Sequence, residues 1–320
     1  QRATQSNYAL SRYSVLRIQE LRKQLELQYH SREAGTLKVF RDQATFTAAV
    51  DEAGFLATLG LEYQVLGATE LSQHEPILAD CGPNLVGGIA YPNDETGHSH
   101  AYCQGLAGVL RDNGVDIRTG TAVDTILREA GQVTGIATSA GNLPARCVVV
   151  AAGAWSPQLL GRVGRKLPIR PVKGYSVTAP IRRQDLLPRG AIIDQAMHAA
   201  ITPLGDSLRM AGIAELAGWN RQIQPARVAK LWRMAEGLSA PMAAALDSTQ
   251  AAEWCGLRPI SASGVPTIGA TPVAGLFVNA GHGYLGFTQS AGSARLLTQL
   301  ILGQSPEIDP RPYAWAASSS

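Results

Sequence analysis

The segment that most constrains this chain runs from Leu276 to Leu302. Leu276-Phe-Val-Asn-Ala280 is a short apolar run that reads as a buried strand, and Gly281-His-Gly-Tyr-Leu-Gly286 follows it directly. Leu285, Ala291, Ala294, Leu297, Leu300 and Ile301 then recur at helical spacing, with Thr288 as the expected N-cap and Gly303 as the stop. Glycines let backbone approach a ligand closely, and a helix start offers free N–H groups and a partial positive charge. This end of the helix therefore suits an anion or an electron-rich ligand edge. A glycine-rich turn that only seats a helix on a sheet is the plainer reading. The six residues fit Gly-x-Gly-x-x-Gly, but a dinucleotide fingerprint opens a βαβ unit and needs an acidic residue about 20 residues on. Only a proline-rich tail follows Gly303, so the stretch reads as closing a fold rather than opening one.

The chain has 320 residues, room for two domains or for one large domain with an insertion. A hydrophobic content of 45% with 17% charged residues points to a globular protein with a sizeable core. The net charge of +3, with no Lys/Arg stripe, argues against a nucleic-acid partner. Cys81, Cys103, Cys147 and Cys255 form no C-x-x-C pair and read as small apolar residues in a reducing compartment. Asp94, Glu95, His98 and His100 sit in a Pro-Asn-Asp turn, where carboxylates usually bond local backbone, so no metal site is nominated. No apolar run approaches the ~18 residues of a spanning helix. The chain begins with Gln1, which reads as a fragment or a processed product.

Residues 6–33 are expected to form one long helix, its basic face more consistent with a solvated domain helix than with a membrane-surface helix. Residues 36–40 and 63–66 read as strands, 43–59 as a helix, and 76–100 as a long functional loop. A helix at 99–112 precedes strands at 115–118, 122–126 and 133–138. Cys147 to Ala152 is apolar on both faces, as strands of covered parallel sheets are, and ends at Gly153-Ala-Trp155, after which Ser156 and Pro157 start a helix. From 168 to 255 strand-like pieces alternate with turns, with helices at 225–237 and 240–246, which reads as a mostly antiparallel substrate domain inserted into the first. In Gly256-Leu-Arg-Pro-Ile260, Pro259 holds Arg258 in extended backbone, and a guanidinium aimed this way suits two-point capture of a carboxylate. An interdomain salt bridge is the alternative use.

Gly256-Leu-Arg-Pro, Gly264-Val-Pro-x-Ile-Gly269 and Asn279-x-Gly-His-Gly-x-x-Gly286-x-Thr288 together resemble the FAD-dependent D-amino-acid oxidase superfamily, and within it the bacterial D-amino-acid dehydrogenases of the small-subunit type. Pro92-Asn-Asp-Glu-Thr-Gly97, Val149 to Gly153, Pro171-x-Lys-Gly-Tyr-Ser176, Ala200-Ile-Thr202 and Gly212-x-Ala-Glu215 agree in the family's order. The chain departs from the pattern at Ser261-Ala-Ser263, where the family tends to have Thr-Pro-Asp, and at His98, where it tends to have Asp.

The resemblance implies an α/β fold: an FAD-binding domain of the glutathione-reductase type from 1–34, 98–166 and 256–310, and an α+β substrate domain from 35–97 and 167–255. The family's opening strand, glycine loop and helix have no counterpart here, so the FAD-binding domain is expected to be N-terminally incomplete. On that expectation the chain alone binds FAD weakly or not at all, and an upstream segment or a second polypeptide supplies the rest. The reaction implied is oxidative deamination of D-amino acids to 2-oxo acids and ammonia by hydride transfer to FAD. Arg258 would clamp the substrate carboxylate and Tyr175 would bond it or shape the pocket. Gly281, His282, Gly283, Tyr284, Leu285, Gly286 and Thr288 would face the flavin, and Val123, Gly153 and Trp155 the adenosine half. Electrons would pass to a respiratory-chain acceptor, with the protein cytoplasmic or peripheral on the inner face of the bacterial inner membrane. A glycine, sarcosine or hydroxyproline oxidase is the second reading within the superfamily, and a non-catalytic fragment or subunit the third.

Overall fold

The computed structural model describes residues 2–315. Its strands are β1 (Thr36–Phe40), β2 (Gln64–Gly67), β3 (Gly87–Tyr91), β4 (Val123–Glu129), β5 (Gln132–Thr138), β6 (Gly141–Pro144) and β7 (Val148–Val150). Then come β8 (Ile169–Pro180), β9 (Ala191–Asp194), β10 (Ala199–Leu204), β11 (Ser207–Glu215), β12 (Ala252–Ser261), β13 (Thr267–Ala270) and β14 (Leu276–Ala280). The helices are α1 (Arg2–Gln24), α2 (Gln43–Ala57), α3 (Ala68–His74), α4 (Ser99–Asp112), α5 (Ser156–Arg162), α6 (Pro225–Leu238), α7 (Ala240–Ala245) and α8 (Ser290–Ile301).

One sheet dominates, in the order β12-β8-β11-β10-β9-β1-β3-β2, and among the described residues only β1 and β9 pair in parallel within it. Period-two alternation gives this sheet two unlike faces. Along β8, Tyr175, Val177 and Ala179 are buried on one face, while Gly174, Ser176 and Thr178 lie on the other. The buried face packs with Leu208 and Met210 of β11 against Val228, Leu231 and Met234 of α6. The opposite face is left for a ligand.

The smaller sheets are a mixed one, β13-β14-β7, and the antiparallel meander β4-β5-β6. The doubly covered strand expected from Cys147 to Ala152 is only three residues long, pairs with β14 alone among the described residues, and exposes Val149. The boundary expected at residue 256 falls inside β12, which stays bonded to β8 as far as Ser261. Arg258 thus stands on the large sheet.

Three further elements differ from expectation. The first helix ends at Gln24 instead of running to 33, because Glu26 and His30 take positive φ of 50° and 54°. Its packed face meets α8 where the Gly292 N–H donates to Ser14 Oγ at 3.0 Å. Residues 115–118 form no strand. The long loop expected over 76–100 contains β3, which pairs with β1 on one side and β2 on the other. Gly87 and Gly88 are there for space: a Cβ at Gly87 would lie 2.5 Å from the Phe46 ring and 2.9 Å from the Leu66 carbonyl oxygen. Gly87→Ala is expected to destabilise the fold by about 1–3 kcal/mol through overpacking. A lower urea midpoint at unchanged slope would report it, and an unchanged midpoint would show that β3 has room to shift.

Candidate functional site

The open face of the large sheet floors a cavity of about 690 Å³. Its floor is made of small residues, Gly256 on β12, Gly174 and Ser176 on β8 and Ala211 on β11, because the register sets Gly256 opposite Gly174 and Ala211 opposite Ser176. Arg258 lies flat on this floor. Its Nη1 donates to the Ile213 carbonyl at 2.7 Å and its Nη2 to that of Gly212 at 3.4 Å, so the guanidinium crosses β8 at Gly174. A Cβ at Gly174 would fall on that guanidinium, which is why the position accepts only glycine without displacing it. Burial pushes the Arg258 guanidinium below its usual range. Among the described residues no carboxylate pairs with it. A half-buried cation held by carbonyls alone is electrostatically incomplete, and an anionic ligand completes it.

The opposite wall comes from Gly283, Tyr284, Gly286 and Phe287, between β14 and α8. Residues 283–285 form a 3-10 turn, and Gly281 and Gly283 adopt φ of 94° and 58°, the left-handed region that favours glycine. Helix α8 starts later than the sequence suggests: Gln289, not Thr288, is its N-cap. The cost of the later start falls on the preceding turn, where the N–H groups of Phe287 and Thr288 donate to no carbonyl among the described residues. A Cβ at Gly286 would meet only His282, at 3.9 Å, so a ligand can approach the backbone there.

His282 does not reach the cavity. Its Nε2 lies 2.9 Å from Ser293 Oγ, tying the loop to α8 from behind, and burial lowers its pKa to about 4. A depressed histidine adds stability above its unfolded value of about 6.5, and that stability is lost as pH falls toward 4, because the unfolded chain takes up the proton first. At about 1.4 kcal/mol per pH unit, the loss between pH 7 and pH 4 is on the order of 3 kcal/mol. His282→Gln is expected to remove this window. Equal urea midpoint shifts between pH 7 and pH 4.5 for both proteins would contradict the assignment.

Of the residues expected at the site, Arg258, Gly283, Tyr284 and Gly286 come together around one cavity. Tyr175 also borders it, but its ring points into the core at 1% exposure, and its hydroxyl donates to Glu215 Oε2 at 2.5 Å. Tyr175 shapes the floor from below and presents no hydroxyl to a ligand. Gly281, His282, Leu285 and Thr288 support the loop without bordering the cavity. Val123, Gly153 and Trp155 lie elsewhere: Val123 and Trp155 are half-exposed, and the Trp155 ring stacks 5.4 Å from that of Trp219. Gly153 takes φ of 53° with open space where a Cβ would be.

The model of the FAD-dependent oxidoreductase family, DAO, matches residues 2–300. The chain belongs to this family. D-amino acid dehydrogenase of Cereibacter sphaeroides is 40% identical over 300 residues, covering 94% of this chain and 68% of that protein. The enzyme of the same name from Agrobacterium fabrum is 37% identical over 319 residues, covering 97% and 76%. Among solved structures, glycine oxidase from Geobacillus kaustophilus superposes with a TM-score of 0.87 at 25% identity, covering 99% of this chain and 83% of that one. As a DAO family member the chain is an FAD-dependent oxidoreductase, and the residues present fit FAD. The free backbone donor at Phe287, beside an open Gly286, suits an electron-rich ring edge, and the cavity of about 690 Å³ has room for a flat ligand.

Sequence reasoning missed the other end of the cavity, where Arg209, Thr178 and His98 converge. Arg209 Nε donates to Thr178 Oγ1 at 2.9 Å, and its Nη2 lies 3.0 Å from His98 Nε2. His98 also stands at the N-cap of α4, its Nδ1 3.3 Å from the Ala101 nitrogen. The only signal in the sequence was the alternation of Ser207 to Glu215, which puts Arg209 and Ala211 on one face and Leu208 and Met210 on the other.

Proposed function

We propose that the chain carries the substrate-binding sheet and flavin-edge loop of an FAD-dependent D-amino acid dehydrogenase, which converts D-amino acids to 2-oxo acids and ammonia. The observation that carries this reading is Arg258, a half-buried guanidinium with no carboxylate partner among the described residues, set across one cavity from Phe287, whose N–H is free in the turn before α8. The names of the relatives at 37–41% identity support the same reading.

In this account Arg258 binds the substrate carboxylate through two N–H groups and fixes the direction of the α-carbon. Its own bonds to the Ile213 and Gly212 carbonyls keep the guanidinium from rotating. FAD, when bound, supplies the acceptor for the hydride that leaves the α-carbon. Phe287, whose N–H is free at the cavity wall, would offer a preformed donor to the bound cofactor, and such donors contribute most where negative charge accumulates. The imino acid then takes up water and releases ammonia. We assign no acid–base side chain, since a neutral amine needs none.

The large sheet, 35–97 and 167–261, is read as the substrate domain and the remainder as FAD-binding, with Val123, Gly153 and Trp155 toward the adenosine half. Electrons pass to a respiratory-chain acceptor, with the protein on the inner face of the bacterial membrane. No helix of the described residues is long and apolar enough to cross a membrane. A dye-coupled assay tests the reading: D-alanine is expected to yield pyruvate and ammonia one to one without peroxide. Stoichiometric peroxide would make the enzyme an oxidase, and turnover of glycine or sarcosine alone would shift the substrate class.

A further inference from the structure

The cavity has a second cationic end that the proposed reaction does not use. Arg209 stands on β11 opposite Thr178, three residues from Gly212, whose carbonyl anchors Arg258. At about 3.3 Å per residue, the two anchorages lie roughly 10–13 Å apart along the sheet, three residues on β11 and four on β8. Like Arg258, Arg209 is half-buried, and burial pushes its guanidinium below the usual range. It forms no ion pair among the described residues, and no Asp or Glu borders the cavity.

The chemistry of His98 sharpens this. A neutral ring has one acceptor nitrogen, and burial and the neighbouring Arg209 both disfavour a charged ring. Arg209 can only donate, so the 3.0 Å contact makes His98 Nε2 its acceptor, and His98 holds the guanidinium in place. With Nε bonded to Thr178 and Nη2 to His98, the remaining Arg209 N–H groups and the Thr178 hydroxyl hydrogen have no acceptor among the described residues.

Resting on the D-amino acid reading, we infer that Arg209, oriented by His98, and the Thr178 hydroxyl bind the side-chain carboxylate of an acidic D-amino acid while Arg258 binds its α-carboxylate. A charge-assisted bond of about 2.8 Å at each end leaves about 4–7 Å between the two anchorages, the span of a short aliphatic chain with a carboxylate at each end. Between the two ends the cavity is lined by Ser176 and Ala211, small side chains that leave room for that chain. Inorganic anions would lack the span, and apolar side chains would leave the Arg209 end uncompensated.

Two measurements on the FAD-loaded protein test this. The first is the ratio of kcat/KM for D-glutamate to that for D-norvaline, a near-isostere without the second charge. Arg209→Met is expected to lower this ratio at least 30-fold, and Arg209→Lys to restore part of it. An unchanged ratio, with both substrates affected alike, would overturn the inference. The second needs no turnover: Trp254 borders the cavity, so its fluorescence reports binding of glutarate and butyrate. Glutarate is expected to bind at least tenfold tighter than butyrate, and Arg209→Met to abolish the difference. Equal binding in the native protein would defeat the inference even if D-alanine is oxidised. A glutarate preference that depends on Arg209, in a protein that oxidises no D-amino acid, would uphold the dicarboxylate site while refuting the proposed function.

Discussion

Replacing Arg258 with alanine is expected to raise KM for D-alanine by about 30-fold to 1,000-fold, the equivalent of 2–4 kcal/mol for breaking a desolvated charge pair. The size follows from the site: the guanidinium is half-buried, has no competing carboxylate among the described residues, and borders the cavity from a fixed position on the sheet. Arg258→Lys keeps a charge but loses the planar fork, so it should recover only part of the affinity. The Ile213 and Gly212 carbonyls lose their donor in the alanine variant, which predicts some loss of melting temperature as well. Unchanged kinetics with a lowered melting temperature would mean that Arg258 only ties β12 to β11.

Gly174→Ala is expected to act almost as strongly without touching a charged group. Its new Cβ occupies the place where the Arg258 guanidinium crosses β8, and the side chain must leave its carbonyl anchors. KM for D-alanine should rise about 10-fold to 100-fold, a cost on the order of 1–3 kcal/mol for forcing a packed group aside. The two substitutions act on one interaction, so the Gly174→Ala/Arg258→Ala pair should be no worse than Arg258→Ala alone. Additive losses would show that Gly174 serves the site in some other way. Native-like kinetics for Gly174→Ala would show that the guanidinium has a second productive position.

Much of this was legible in the sequence, for identifiable reasons. The strand from Leu276, the glycines and the following helix are local signals, and β14 and α8 form where periodicity and glycine spacing put them. Arg258 was legible because Pro259 fixes its backbone. The N-cap was not, since Thr288 is the better capping residue by type, yet the 3-10 turn delays the helix until Gln289 takes the N-cap position without a side-chain capping bond. Gly87 and Gly88 fell within the loop expected over 76–100, because the demand for glycine there comes from the Phe46 ring and Leu71, both distant in sequence. Tyr175 was assigned to the cavity on its family likeness, whereas strand parity with Val177 turns its ring into the core. Arg209 carries no motif. Its role depends on the pairing of β11 with β8 and on the N-terminus of α4 arriving opposite, neither of which a linear reading supplies.

The most direct test of the whole account is anaerobic mixing of the FAD-loaded protein with D-alanine or L-alanine while the visible flavin absorbance is followed. Stoichiometric bleaching by D-alanine and none by L-alanine is the predicted result. Flavin that stays oxidised with both D-alanine and D-glutamate, or that bleaches only with glycine or sarcosine, would contradict the assignment of this chain to D-amino acid oxidation.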